Sequence, residues 1–113
     1  MTWAGKCQGC GKTVAEHTRL LHCPARERDI ERYMHAQVKA HGGEVRRCRW
    51  IGRAHAPDDR VMLRRAAWCE CKAPGEKPRA GQLREHARMR AHGEVVYVVD
   101  SFELVDAMIR ELS

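Results

Sequence analysis

No apolar run in the 113 residues approaches the roughly 20 that cross a bilayer as a helix, so a helical membrane protein is excluded. The first residues carry no apolar signal core, and the expectation is a cytoplasmic rather than a secreted protein. There is no internal repeat, and the apolar share of 43% is periodic, which excludes collagen-like or low-complexity disorder. Acidic side chains are the minority charge: 15 Asp and Glu stand against 21 Lys and Arg, a net charge of +6. The length allows one modest core rather than two domains. A small basic domain suggests an anionic partner, with nucleic acid the first guess.

Cysteine is not scarce, and its distribution is uneven. In a chain without a signal core, six Cys and seven His point to metal or catalytic use rather than to a disulfide framework. Residues 1–24 read as a polar, Cys-rich annex closed by Pro24, and 25–113 as the core domain. Cys7 and Cys10 have the spacing of a zinc-knuckle half-site, since two thiolates two residues apart fit one tetrahedral ion. The other half would be Cys23 with His17 or His22, giving a closed, structural Zn²⁺ site. Lys12, beside it, would extend a DNA-facing surface. Cys48, Cys69 and Cys71 lie in apolar, strand-like runs and read as small core residues.

The remaining elements follow from periodicity. Ile30, Met34 and Val38 repeat every four residues and predict a helix over 25–41, ended by Gly42 and Gly43. Strands are expected over 44–51, 59–63 and 66–72, then a Pro- and Gly-containing loop over 73–78. A helix over 79–92 precedes the run VVYVV at 95–99, which reads as a strand buried on both faces. Asp100 or Ser101 can cap a last helix over 102–112, whose Leu104, Val105, Met108, Ile109 and Leu112 form one apolar face. The order is α-β-β-β-α-β-α, a mixed α/β architecture.

The sharpest chemical signal is Pro57-Asp58, followed after eleven residues by Glu70-Cys71-Lys72. Alternation along a strand places Glu70 and Lys72 on one face with Trp68, and Ala67, Cys69 and Cys71 on the other. A hairpin can bring Asp58 beside Glu70. Adjacent carboxylates repel, and a divalent cation such as Mg²⁺, which takes hard oxygen ligands, resolves the repulsion. Lys72 would then stand next to the ion, able to orient a water molecule and neutralise a phosphate, as metal-assisted phosphodiester hydrolysis requires. Asp59 should alternate to the opposite face and reads as a strand-edge or DNA-side charge.

Residues 26–112 resemble a stand-alone VRR-NUC domain of the PD-(D/E)xK nuclease superfamily. The resemblance rests on RERDIERYMHAQVKAHGG, HAPDDRVML, AWCECKAPGEKPRAGQLREH and RMRAHGEVVYVVDSFELVDAM, with ECKAPGEKPRAGQ its most specific part. It implies a restriction-endonuclease-like fold and cleavage of branched or structured DNA, of Holliday-junction or flap type, with Mg²⁺ or Mn²⁺. Members of this kind are typically homodimeric and often phage-encoded. By position, Asp58, Glu70 and the backbone carbonyl of Cys71 would be metal ligands, Lys72 would serve the water, and Gln82 would sit near the metal or phosphate. The resemblance also implies an acid in the first helix. Glu27 falls within the apolar stripe and Glu31 at its edge, so either can supply it, with Glu27 slightly preferred.

Arg46, Arg47, Arg49 and Arg53 flank this hairpin and are candidates for holding DNA phosphates. Trp50 and Trp68 read as core rather than as platforms for a splayed base, and His86 and His92 as surface residues of an Arg-rich helix. Two functions follow: a divalent-metal DNA endonuclease, or a zinc-containing DNA-binding adaptor on a nuclease-like core without activity. Asp58, Glu70 and Lys72 together favour the enzyme.

Overall fold

The computed structural model describes residues 26–113, so the annex with Cys7, Cys10, Lys12, His17, His22 and Cys23 lies outside the described residues. The first described helix, α1 (Glu27–Ala40), buries Ile30, Tyr33, Met34, Gln37 and Val38 on one face. Its N-terminus is closed by Asp29, whose Oδ2 accepts the Arg26 N–H at 2.8 Å. Gly42, at φ +83°, takes the left-handed conformation that turns the chain out of the helix. Gly43 is needed for a different reason: a Cβ there would come within 2.5 Å of Leu63 and of the Met62 carbonyl. The exit of α1 therefore packs directly on the turn that follows β2.

Four strands form one sheet in the order β1 (Glu44–Arg47), β2 (Asp59–Met62), β3 (Ala66–Cys71), β4 (Val96–Val99). The first two pairings are antiparallel and β3–β4 is parallel. The parallel pair requires a crossover, supplied by α2 (Ala80–Ala91). The chain ends in α3 (Phe102–Leu112), whose cap is Ser101: its Oγ accepts the Leu104 N–H at 3.1 Å. Asp100, the other expected cap, instead accepts the Gly75 N–H from the 73–78 loop.

One face of the sheet carries the core. Val61, Ala67, Cys69, Cys71 and Val99 meet Ile30, Met34 and Val38 of α1 and Val105, Met108, Ile109 and Leu112 of α3. Tyr33 joins the two helices by donating to Asp106 Oδ1 at 2.8 Å. Alternation turns Glu70 to the opposite face, where α2 lies.

Three expectations change. β1 stops at Arg47 rather than 51: one further bond, Cys48 N–H to the Asp58 carbonyl at 2.7 Å, continues the pairing before the chain leaves the sheet. Cys48 is consequently half-buried, whereas Cys69 and Cys71 are core. The VVYVV run is an edge strand, not one buried on both faces: Val95 is exposed, and Tyr97 and Val98 are only partly covered. Trp50 and Trp68 are likewise not core. They meet at half-buried positions with ring centroids 4.8 Å apart and planes tilted by 50°, and the Arg60 guanidinium lies 4.9 Å over the Trp68 ring.

Candidate functional site

The β2–β3 register sets the geometry. Asp59 pairs with Cys69, so the next step beyond the ladder brings Asp58 opposite Glu70. Pro57, fully buried, anchors the approach to β2, and its carbonyl accepts the Trp50 indole N–H at 2.7 Å. The Asp58 side chain itself is exposed.

Glu70 is the electrostatic centre. Burial pushes its carboxyl up to about 7; Lys72 opposes that rise, and Asp58, Glu27 and Asp59 add to it. Glu27, in the first turn of α1, thus acts on the same carboxyl as Asp58. Gln82 of α2 donates from Nε2 to Glu70 Oε2 at 3.4 Å, while its Oε1 accepts the Arg79 N–H at 2.9 Å. Lys72 is buried, with Nζ 4.0 Å from Glu76 Oε1. Asp58 and Glu27, both exposed, and the buried Lys72 thus all act on the Glu70 carboxyl at the end of β3. The donors are hard oxygens, and their mutual repulsion is what a divalent cation would relieve, so these residues fit a Mg²⁺ or Mn²⁺ ion.

Glu31 sits elsewhere. It accepts Arg47 Nη2 at 2.5 Å and lies beside the carboxyl of Asp59. Burial and that second carboxyl raise its pKa. Asp59 does turn away from Glu70, as alternation requires, yet it is not an edge or DNA-side charge. It is 2% exposed, between α1 and β2, with His35 Nε2 at 3.5 Å.

His86 corrects the reading of a surface histidine. It is wholly buried on α2, one turn beyond Gln82, with Nε2 3.8 Å from Glu70 Oε1. Burial lowers its pKa, with the charges of Arg90 and Lys72 acting in the same direction. The sheet-facing positions of α2 are Gln82, Glu85, His86 and Met89. Their spacing is helical, but three of the four are polar, so a search for apolar periodicity passes over them. His92 is exposed, as expected.

The 48–57 loop is held against α2. Arg53 Nη2 lies 2.5 Å from Glu85 Oε1, and that guanidinium holds the Glu85 carboxyl below its usual range. Gly81 lets the loop approach, because a Cβ there would come within 2.8 Å of the His55 ring. Between loop and sheet opens a cleft of about 520 Å³ lined by Arg47, Arg49, Trp50, Arg53, His55 and Asp58. Three of the four expected phosphate-binding arginines thus border the cleft that Asp58 enters. Arg46 points elsewhere and pairs with Glu44.

No family model matches the sequence. The chain is 44% identical over 81 residues to "Putative nuclease p44" of Acyrthosiphon pisum secondary endosymbiont phage 1, across 70% of this chain and 87% of that protein. A solved structure described as "VRR_NUC domain" superposes with a TM-score of 0.69 at 39% identity, covering 77% of this chain and 97% of that one.

Proposed function

The chain belongs to the VRR-NUC family of nucleases, and from that premise we propose that it is a divalent-metal-dependent endonuclease for branched or structured DNA, of Holliday-junction or flap type. The observation that carries the reading is the β2–β3 register, which sets Asp58 across from Glu70, with the buried Lys72 two residues on and Gln82 donating to Glu70 Oε2 at 3.4 Å. The Glu70 carboxylate, destabilised by burial, is poised to take a cation. Asp58, Glu70 and the Cys71 carbonyl would hold Mg²⁺ or Mn²⁺, with Glu27 rather than Glu31 as the helix acid. When bound, the ion neutralises phosphate charge and acidifies water.

The chain's own groups do the rest. Lys72 orients the attacking water and steadies charge on the phosphate. Gln82 holds the Glu70 carboxyl from the α2 side, with the buried His86 ring packed beside it. Arg47, Arg49 and Arg53 seat the phosphate backbone in the cleft. In-line attack joins the water oxygen to phosphorus and breaks the P–O3′ bond, leaving 5′-phosphate and 3′-hydroxyl ends. A homodimer suits paired cuts in a branched substrate, since a two-fold axis presents two such sites. The Cys-rich annex would add a structural Zn²⁺ through Cys7, Cys10, Cys23 and His17 or His22.

The test is purified protein with labelled four-way junction, flap and linear duplex in Mg²⁺ or Mn²⁺. Cleavage of a branched substrate, lost in both Glu70→Ala and Lys72→Ala, is expected. Undiminished cleavage in either variant would sink the site, and binding without cleavage of any substrate would favour an adaptor. Zinc is checked separately by metal analysis of protein purified without chelator, expected to lose its Zn²⁺ in Cys7→Ser.

A further inference from the structure

We propose that Glu31, His35 and Asp59 form a second divalent-cation site, on the opposite face of the sheet from Glu70, for a transition ion of the Mn²⁺ or Zn²⁺ kind. Each residue offers one ligand atom, and the three atoms lie within 4.8 Å of one another. Glu31 and His35 are one helical turn apart on α1 and share a face. Asp59 opens β2 and meets them from the sheet.

The independent observation is unmet bonding. Asp59 is 2% exposed, yet its Oδ1 has no hydrogen-bond partner among the described residues, and neither has His35 Nε2. These two atoms face each other at 3.5 Å, an ion pair when the ring is protonated but not a hydrogen bond. Buried polar atoms are rarely left so, because each forfeits its hydration without return. Arg47 does not resolve the matter. It engages Glu31 fully but stays 3.8 Å from Asp59 Oδ1 and is 63% exposed. A cation between the three atoms would satisfy both orphans and free Arg47 for the cleft it borders.

One imidazole and two carboxylates form a mixed nitrogen–oxygen set. Imidazole favours a transition ion over Mg²⁺, and the carboxylates suit Mn²⁺ and Zn²⁺ alike. The ion would be structural. It would tie the first turns of α1 to the start of β2, the two segments that present Glu27 and Asp58 to Glu70. The site does not depend on the chain cleaving DNA.

The probe is Mn²⁺, which thiolates of the annex bind poorly. The full chain, stripped with EDTA, is titrated in equilibrium dialysis and its bound ion examined by pulsed EPR for coupling to an imidazole nitrogen. Wild type is expected to hold two Mn²⁺ and Glu70→Ala one, the remaining ion showing nitrogen coupling. Adding His35→Gln should remove that coupling and weaken binding at least tenfold, and Glu31→Gln provides a second variant should His35→Gln not fold. A Glu70→Ala protein that binds no Mn²⁺, or nitrogen coupling that survives His35→Gln, overturns the site. Neither result touches the cleavage assay, so failure here and failure of the nuclease reading remain distinguishable.

Discussion

Glu70 shows how far one side chain can trade stability for chemistry. Its carboxyl titrates near 7 in the folded chain against 4.5 in the unfolded one. The folded state therefore binds the proton more tightly. The stability linked to that proton is fully present below pH 4.5 and is lost as pH rises through 7. The loss amounts to about 3 kcal/mol, from about 1.4 kcal/mol for each pH unit of displacement. Glu70→Gln should remove the penalty. We expect it to be more stable than wild type at pH 8 by about 1–3 kcal/mol in metal-free urea unfolding, to show no advantage at pH 4, and to cut no DNA. An unchanged or lowered urea midpoint at pH 8 would contradict the electrostatic account of the site.

Among the elements, α1 and α2 hold the site, and their two faces were unequally legible. The apolar stripe of α1 stands out in the sequence, as does its glycine exit. Gly43 is more than a helix stop, because the exit abuts Leu63 and the Met62 carbonyl. Gly43→Ala should therefore cost about 1–3 kcal/mol by overpacking, read as a lower urea midpoint with an unchanged slope. Within α1, periodicity alone leaves Glu27 and Glu31 both on the core side, whereas the structure exposes Glu27 and half-buries Glu31. The fold divides them: Glu27 acts on Glu70, and Glu31 meets Asp59 and Arg47. Glu27→Gln should accordingly lower kcat at least tenfold in the junction assay while leaving the fold intact by circular dichroism. The inward stripe of α2 was hidden because Gln82, Glu85 and His86 are polar, and only a facing Glu70 and Arg53 make burying them tolerable.

At the scale of the whole molecule, the net charge of +6 acquires a location. Arg47 and Arg53 border the cleft while paired with carboxylates, and Arg49 is exposed there. Arg49→Ala is expected to weaken DNA binding alike for all sequences and to reduce the slope of log K against log salt by about 0.9, one phosphate's worth. An unchanged slope would remove Arg49 from the DNA surface. Dimerisation belongs to this scale too. Sedimentation at working concentrations should give a species of twice the chain mass, and a lone monomer would refute the two-fold arrangement. No helix among the described residues is long and apolar enough to cross a membrane.

The sequence by itself determined the order of elements, the buried stripe of α1, and the placement of Asp58, Glu70 and Lys72 about a hairpin. All of these follow from local spacing, since periods of 3.6 and 2 assign each residue to a face before any packing occurs. Only the tertiary structure decided what lies across from each face. It made VVYVV an edge strand, drew Trp50 and Trp68 into a half-buried tilted pair, buried His86 beside Glu70, and enclosed Asp59 with Glu31 and His35. Those outcomes depend on contacts between residues far apart in the chain, and a polar residue becomes buried only where a distant partner arrives to meet it.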